Sequence, residues 1–168
     1  APSFPMPVQK PHPPIWVAGR VGGVEMQLDG SHKLKSKTAA IRRTAKYGDG
    51  WLPYLMTPQG YKESVDELRT YTKEYGREDH PITLAHTLLF SVGDDYDTAL
   101  DVAAAGNPFG GHRKEFSQKY DAVGTPKDCI KRFEEYIEAG VSHFILKPYV
   151  APELILSQVQ RLAKDVIP

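Results

Sequence analysis

The sequence predicts an α/β protein whose parallel sheet is assembled from repeated βα units, and three observations carry that expectation. Apolar or β-rich runs recur at Ile15–Ala18, Trp51–Tyr54, Ile82–Val92 and His143–Lys147, the composition of strands covered on both faces. Between them lie stretches with apolar residues at three- and four-residue steps, the period of a helix with one buried face. Start and stop signals bracket those stretches. Thr57-Pro58 and Thr125-Pro126 each supply a hydroxyl N-cap followed by proline at the first helical position, and Gly48, Gly76 and Gly140 stand where helices should end.

Taken in order, residues 1–14 carry prolines at positions 2, 5, 7, 11, 13 and 14 and form an extended lead-in, incompatible with a helix or a central strand. Residues 15–168 make the domain. After the first strand, Gly19 marks the carboxyl end, and Arg20 to Lys37 is a long βα connection broken by Gly22, Gly23 and Gly30. The first helix packs Ala39, Ala40, Ile41, Ala45 and Tyr47 and turns Arg42, Arg43 and Lys46 outward, with Gly48 expected in the left-handed conformation. Asp49-Gly50 turns the chain into Trp51-Leu52-Pro53-Tyr54. The helix from Thr57 to about Tyr75 buries Tyr61, Val65, Leu68 and Tyr71 or Thr72. Ile82–Val92 is the third strand, followed by a helix from about Tyr96 to Ala105, a break at Asn107–Gly111 and a short helix over His112–Tyr120. The helix after Thr125 is expected to bury Ile130, Phe133 and Ile137. His143–Lys147 is the fourth strand, and Pro152–Val166 is a terminal helix with Leu154, Ile155, Val159 and Leu162 inward.

Composition narrows the function. Basic and acidic residues balance at 21 each, so net charge calls for neither nucleic acid nor an anionic membrane surface. The single cysteine, Cys129, excludes an internal disulfide and a cysteine-rich zinc site, which fits a reducing, cytoplasmic setting. No apolar run has the length of a membrane span. His12, His32, His80 and His143 have no metal-ligand spacing, so no metal is expected. The first residue is Ala1 and not a methionine, a weak pointer to a processed or truncated product as the expectation. Repeated βα units build either an open doubly wound sheet or an eight-stranded barrel. Gly19, Gly22 and Gly23 fail the dinucleotide fingerprint, since the third glycine is missing, no helix begins at once and Glu25 is too early for a ribose carboxylate. Pattern alone leaves both architectures open.

Four passages decide between them by resemblance: Pro7 to Gly19, Ala40 to Trp51, Val123 to Ile130 and Gly140 to Pro148. Together they resemble the second half of the bacterial luciferase-like flavin and coenzyme F420 oxidoreductases, over nearly the whole chain except Val21 to Ser36. The resemblance implies the C-terminal half, strands five to eight, of a (β/α)8 TIM barrel. It implies a reduced F420, or alternatively FMN, acting on a small organic substrate. F420 is preferred because the passages around His12–Gly19 and Tyr47–Trp51 look closer to that branch. A half barrel leaves edge strands unpaired and its inner face uncovered, so the expected partner is a missing N-terminal half-barrel or a further copy in a homo-oligomer. The alternative is a non-catalytic truncated homologue that acts as a binding or assembly module.

In such a barrel, ligands gather at the carboxyl ends of the strands. Ala18, Gly19 and Arg20 begin a loop whose amides and guanidinium could hold the cofactor phosphate, a place the resemblance supports. Trp51 and Tyr54 could wall a ring-shaped pocket, with core packing as the other reading of Trp51. Ser91, near the basic residues His112, Arg113 and Lys114, and Lys147 at the rim complete the candidate pocket. The competing reading of each charge is a solvated face. His86, inside an apolar strand, and Cys129, inside a helix, are expected to pack. No catalytic residue can be named, since in these enzymes the cofactor carries the hydride chemistry.

Overall fold

The computed structural model describes residues 6–19, 24–26, 32–34, 38–106 and 114–167. Its sheet contains β1 (Trp16–Ala18), β4 (Gly50–Leu52), β5 (Thr83–Val92), β6 (Ala122–Gly124) and β7 (His143–Pro148), while β2 (Val24–Met26) and β3 (His32–Leu34) form a separate antiparallel pair inside the long connection after β1. All pairings in the main sheet are parallel. β1 lies beside β4, with Trp16 opposite Gly50, and β4 beside the start of β5, with Trp51 opposite Leu84. The length of β5 from Ala85 to Phe90 then pairs with β7. β6 takes the edge that β4 leaves free, at Phe90–Val92. Apart from the short β6, the strands stand in the order in which the chain makes them, and β1 and β7 each keep one edge without a strand partner among the described residues.

The helices are α1 (Ala39–Tyr47), α2 (Pro58–Glu74), α3 (Tyr96–Ala105), α4 (Lys114–Tyr120), α5 (Pro126–Glu138) and α6 (Ile155–Asp165), the last entered through a single tight turn at Pro152–Leu154. Residues in register on parallel strands point to the same face. Trp51 stacks at 5.0 Å on Tyr61 of α2, and Phe144, opposite His86, meets Phe133 of α5 at 5.2 Å. Ile41, Trp51, Tyr61, Val65, Leu88, Phe90, Tyr136 and Leu162 therefore belong to one core between the sheet and α1, α2, α5 and α6. Sequential parallel strands with these helices on one face are the winding of a barrel; an open doubly wound sheet would have helices on both. The structure is one wall of such a barrel.

Local signals hold where caps are concerned. The Thr57 hydroxyl accepts from Gly60 N, and Thr125 forms a full capping box with Asp128. Gly76 and Gly140 adopt positive φ, as helix-stop glycines should. Gly48 differs: its φ of −87° and ψ of 150° are extended. Glycine is required there by space, because a Cβ would sit 3.0 Å from Thr44 O. The last carbonyls of α1 are met by a distant side chain instead. Arg77 donates to Ala45 O at 2.7 Å and to Gly48 O at 3.0 Å.

Three helix faces differ from expectation. On α1, Tyr47 is exposed and Thr44 is buried, its hydroxyl donating to Ala40 O. On α5 the buried stripe is Cys129 and Tyr136 with Phe133 half-buried, while Ile130 and Ile137 face out. The Tyr136 hydroxyl fixes that rotation by donating to Met56 O at 2.6 Å while its ring stacks on His86. On α6 only Leu162 is buried, with Val166 just after its end, and Ile155, Leu156 and Val159 are exposed together with Leu154 of the preceding turn. The physical reason is one-sided cover: nothing among the described residues lies beyond β7 to receive them.

Candidate functional site

The face of the sheet turned away from the core is the side that lines the lumen of a closed barrel. Its residues follow from the register. Trp16, Gly50 and Thr83 form the lowest row, and Ala85 and His143 stand above them. Tyr54, bridged to Thr87, and Ile145, opposite Thr87, make the next row, then Leu89 with Lys147. Burial separates the two faces at the margins of the sheet, whereas on the central β5 the lumen-side Ala85, Leu89 and Ser91 are buried as well. Along β7 exposed and half-buried residues alternate, with His143, Ile145 and Lys147 on the exposed side. Tyr54 is 47% exposed and Ile145 40%, against 0% for Trp51 on the core side.

The floor of this lumen is aromatic. Trp16 lies across Gly50, where a Cβ would come within 2.8 Å of the indole, and its ring meets His143 edge-on at 5.2 Å. Only glycine at position 50 lets that indole lie flat. The upper rows are mixed: the Tyr54 phenol and Thr87 hydroxyl stand beside Ile145 and the exposed Lys147 side chain. A flat ring with polar edges finds both kinds of contact there.

The structure places the sequence candidates in three settings. Ala18, Tyr54 and Lys147 share the lumen face. Gly19, at the carboxyl end of β1, has φ of +137° and a Cβ position only 3.1 Å from Ala40 Cβ, so only glycine suits it. Its amide is already directed at Leu52 O (3.4 Å) and its carbonyl accepts from Trp51 Nε1 (3.2 Å). Trp51 thus braces the turn after β1 from the core side and does not stand in the lumen. Ser91 is on the lumen side of β5 near its carboxyl end but is buried, with Oγ lacking a partner. Arg20, His112 and Arg113 lie outside the described residues, and Lys114 is paired with Asp101 of α3.

Residues that strand periodicity did not single out also reach this face. Thr87 and Ile145 sit mid-row, and only the parallel register reveals them. Leu55, directly after Tyr54, holds a φ of +52°. A left-handed leucine costs about 1–2 kcal/mol, and such strain collects at ligand-binding loops. Among the described residues no group of three or more His, Cys, Asp or Glu side chains could hold a metal ion. His86 and Cys129 are fully buried on the core side, and burial pushes the His86 imidazole down to about 4 and the Cys129 thiol up to about 12. Neither touches the lumen. No helix is long and apolar enough to cross a membrane among the described residues.

Known proteins share this architecture. A family described as luciferase-like monooxygenase matches residues 35–121. An F420-dependent secondary alcohol dehydrogenase solved with an F420–acetone adduct is similar with a TM-score of 0.66 at 17% identity, over 91% of this chain and 48% of that one. The coenzyme F420-dependent tetrahydromethanopterin reductase from Methanopyrus kandleri gives 0.66 at 16% identity, over 92% and 50%. The long-chain alkane monooxygenase LadA gives 0.54 at 21%, over 77% and 38%. At such identities the likeness is one of fold, and the chain spans about half the length of these structures or less. No curated protein matches the sequence. Because the family match covers more than half of the chain and falls on strands and helices that build one wall of a barrel, the chain belongs to the luciferase-like monooxygenase family.

Proposed function

We propose that this chain contributes the strand-five-to-eight wall of a luciferase-like oxidoreductase and that its lumen face forms one side of the pocket for reduced F420, with FMN as the alternative, and a small organic substrate. The observation that carries the reading is the asymmetry of burial: the helix side of the sheet is closed, while Trp16, Tyr54 and Ile145 are left exposed on the face that the missing strands of a barrel would cover, and Lys147 is exposed near the carboxyl-end rim, where a barrel keeps its ligands. Two of the similar structures are F420-dependent by name, which agrees with the resemblance of the passages before Gly19 and Trp51.

The bound cofactor would supply hydride transfer or oxygen activation. The chain's own residues would orient it. Tyr54 and Ile145 offer flat and aliphatic contact to a ring, and Lys147 offers a cation to a phosphate or carboxylate. Ala18 and Gly19 end β1 at its carboxyl side, where the resemblance puts the cofactor phosphate, with Arg20 next in the sequence. Gly19 N–H is committed to Leu52 O, so the phosphate would depend on Arg20 and the amides after it.

The open edges of β1 and β7, the uncovered lumen and the exposed Leu154, Ile155, Leu156 and Val159 of the last helical segment all ask for four more strands. We place these on a half-barrel of the strand-one-to-four type or on a second copy of the chain, and the whole in the cytoplasm, where the lone thiol of Cys129 stays reduced.

Titration of the chain with oxidised and reduced F420 and FMN, followed by fluorescence, tests the assignment. Micromolar binding supports it, and no binding at millimolar concentration favours the non-catalytic assembly module. Sedimentation of the same samples tells a self-closed dimer from a chain that waits for a different half.

A further inference from the structure

Between the carboxyl end of β5 and the start of α5 the chain detours through α3, α4 and β6, and the seam of that detour contains a carboxyl group in an unusual position. α4 has seven residues, too few for a helix to persist without tertiary contacts. One of its last carbonyls is held from α5, where Arg132 donates to Gln118 O at 2.9 Å; the Tyr136 hydroxyl, whose proton goes to Met56 O, lies 3.1 Å from Tyr120 O. Asp121 comes directly after the helix and leads into β6. It is 2% exposed, and its Oδ2 has no hydrogen-bond partner.

Few groups face this carboxyl. From α4 comes the buried Ser117 hydroxyl. From α5 come the Arg132 guanidinium, already engaged by Gln118 O and by Glu135 at 3.2 Å, and the Tyr136 phenol. From the segment after β7 comes the Tyr149 phenol, which burial keeps neutral. Asp128, Lys131 and Tyr96 border an adjoining cavity of about 150 Å³ that Asp121 also lines. A neutral carboxyl tolerates such a seat, whereas an ionised one would be a buried charge whose facing cation among the described residues, Arg132, is shared.

We propose that Asp121 is a proton-dependent latch: while its carboxyl is neutral, β6 stays seated on the end of β5 with α4 packed against β6 and α3, and its ionisation releases α4 and β6 together. The detour begins and ends at the carboxyl ends of the strands, so release would widen the mouth of the barrel. The proposal rests on the fold and stands apart from the choice of cofactor.

The direction of the effect follows from linkage. Burial pushes the seated carboxyl up to about 7, with the Ser117 hydroxyl and Arg132 opposing, while in the released form it returns toward its ordinary value of 3.8. The seated form therefore binds the proton more tightly. The release constant rises about tenfold per pH unit between about 4 and 7 and levels off above that.

Amide hydrogen exchange of the chain at several pH values from about 5 to 8, with each amide normalised to its intrinsic rate, reads this out. Protection of Ala122–Gly124 is expected to fall about tenfold per pH unit up to about pH 7, while Leu146 in the β5–β7 ladder does not follow. In Asp121→Asn the slope at Ala122–Gly124 is expected to vanish. A flat wild-type profile, a slope shared equally by Leu146, or an Asn variant that keeps the slope would each overturn the latch. Should Asp121→Asn not fold, Asp121→Ser serves the same purpose. Should neither fold, the wild-type contrast between the two segments decides alone.

Discussion

His86 offers a direct check on how the core was assembled. Its imidazole is 0% exposed in the middle of β5, stacked at 4.7 Å on Tyr136 and edge-on at 5.5 Å to Tyr61, and the nearby Pro53 carbonyl, without well-formed hydrogen-bond geometry, only partly offsets its burial. Burial disfavours the charged ring and pushes it down from 6.5 to about 4. The folded state thus holds fewer protons than the unfolded one between those values, so stability is lost as pH falls from about 6.5 through 4. The gap is worth about 3 kcal/mol at about 1.4 kcal/mol per pKa unit. His86→Leu removes the titrating ring and its poorly satisfied nitrogens, and forfeits a ring stack worth about 0.5–1.5 kcal/mol. Near pH 7 the variant should match or slightly exceed the wild type. By pH 4 it should lead by about 3 kcal/mol more. Urea unfolding of both proteins across that range measures the difference. A difference that stays constant within about 0.5 kcal/mol would show that the ring is hydrated or bonded, and the account of this core would be wrong.

Other perturbations probe separate joints. Arg77→Met leaves the carbonyls of Ala45 and Gly48 without their cation and should cost about 2 kcal/mol in thermal unfolding, an effect Arg77→Lys only partly rescues. Gln158→Leu removes an amide that both accepts from Val92 N (2.8 Å) and donates to Val92 O (3.0 Å). Exchange at Val92 should accelerate, with stability lower by about 2 kcal/mol. Gly50→Ala drives a methyl into the Trp16 indole and should cost about 1–3 kcal/mol, with a change in tryptophan fluorescence that a backbone effect alone would not produce. Lys147→Ala should weaken F420 or FMN binding about tenfold, or about 1.4 kcal/mol, and leave the unfolding midpoint unchanged, since the side chain is exposed.

Much of the candidate site was legible as position and little of it as direction. Tyr54, Ser91 and Lys147 were singled out because they lie at or near the ends of strand-like runs, and strand ends are where a barrel keeps its ligands. Trp51 begins the second such run, and its indole points into the helix layer, because register with Leu84 puts it on the covered face. A run of consecutive apolar residues does not say which alternate set is inward. That depends on which side the connecting helices fall.

The sequence by itself determined what is settled within one or two turns of chain: strands of apolar residues, helices begun at Thr57-Pro58 and Thr125-Pro126, glycine stops at 76 and 140, and a family likeness that named the half barrel. Tertiary structure alone decided the rotation of α5 about Cys129 and Tyr136, the docking of β6 on β5, the substitution of Arg77 for a left-handed Gly48, and the split of each strand into core and lumen faces. The reason is range. Caps and periodicity act between near neighbours, whereas Arg77 reaches back 29 residues to Gly48 and Gln158 reaches back 66 to Val92. Contacts of that span exist only after the sheet has brought the segments together.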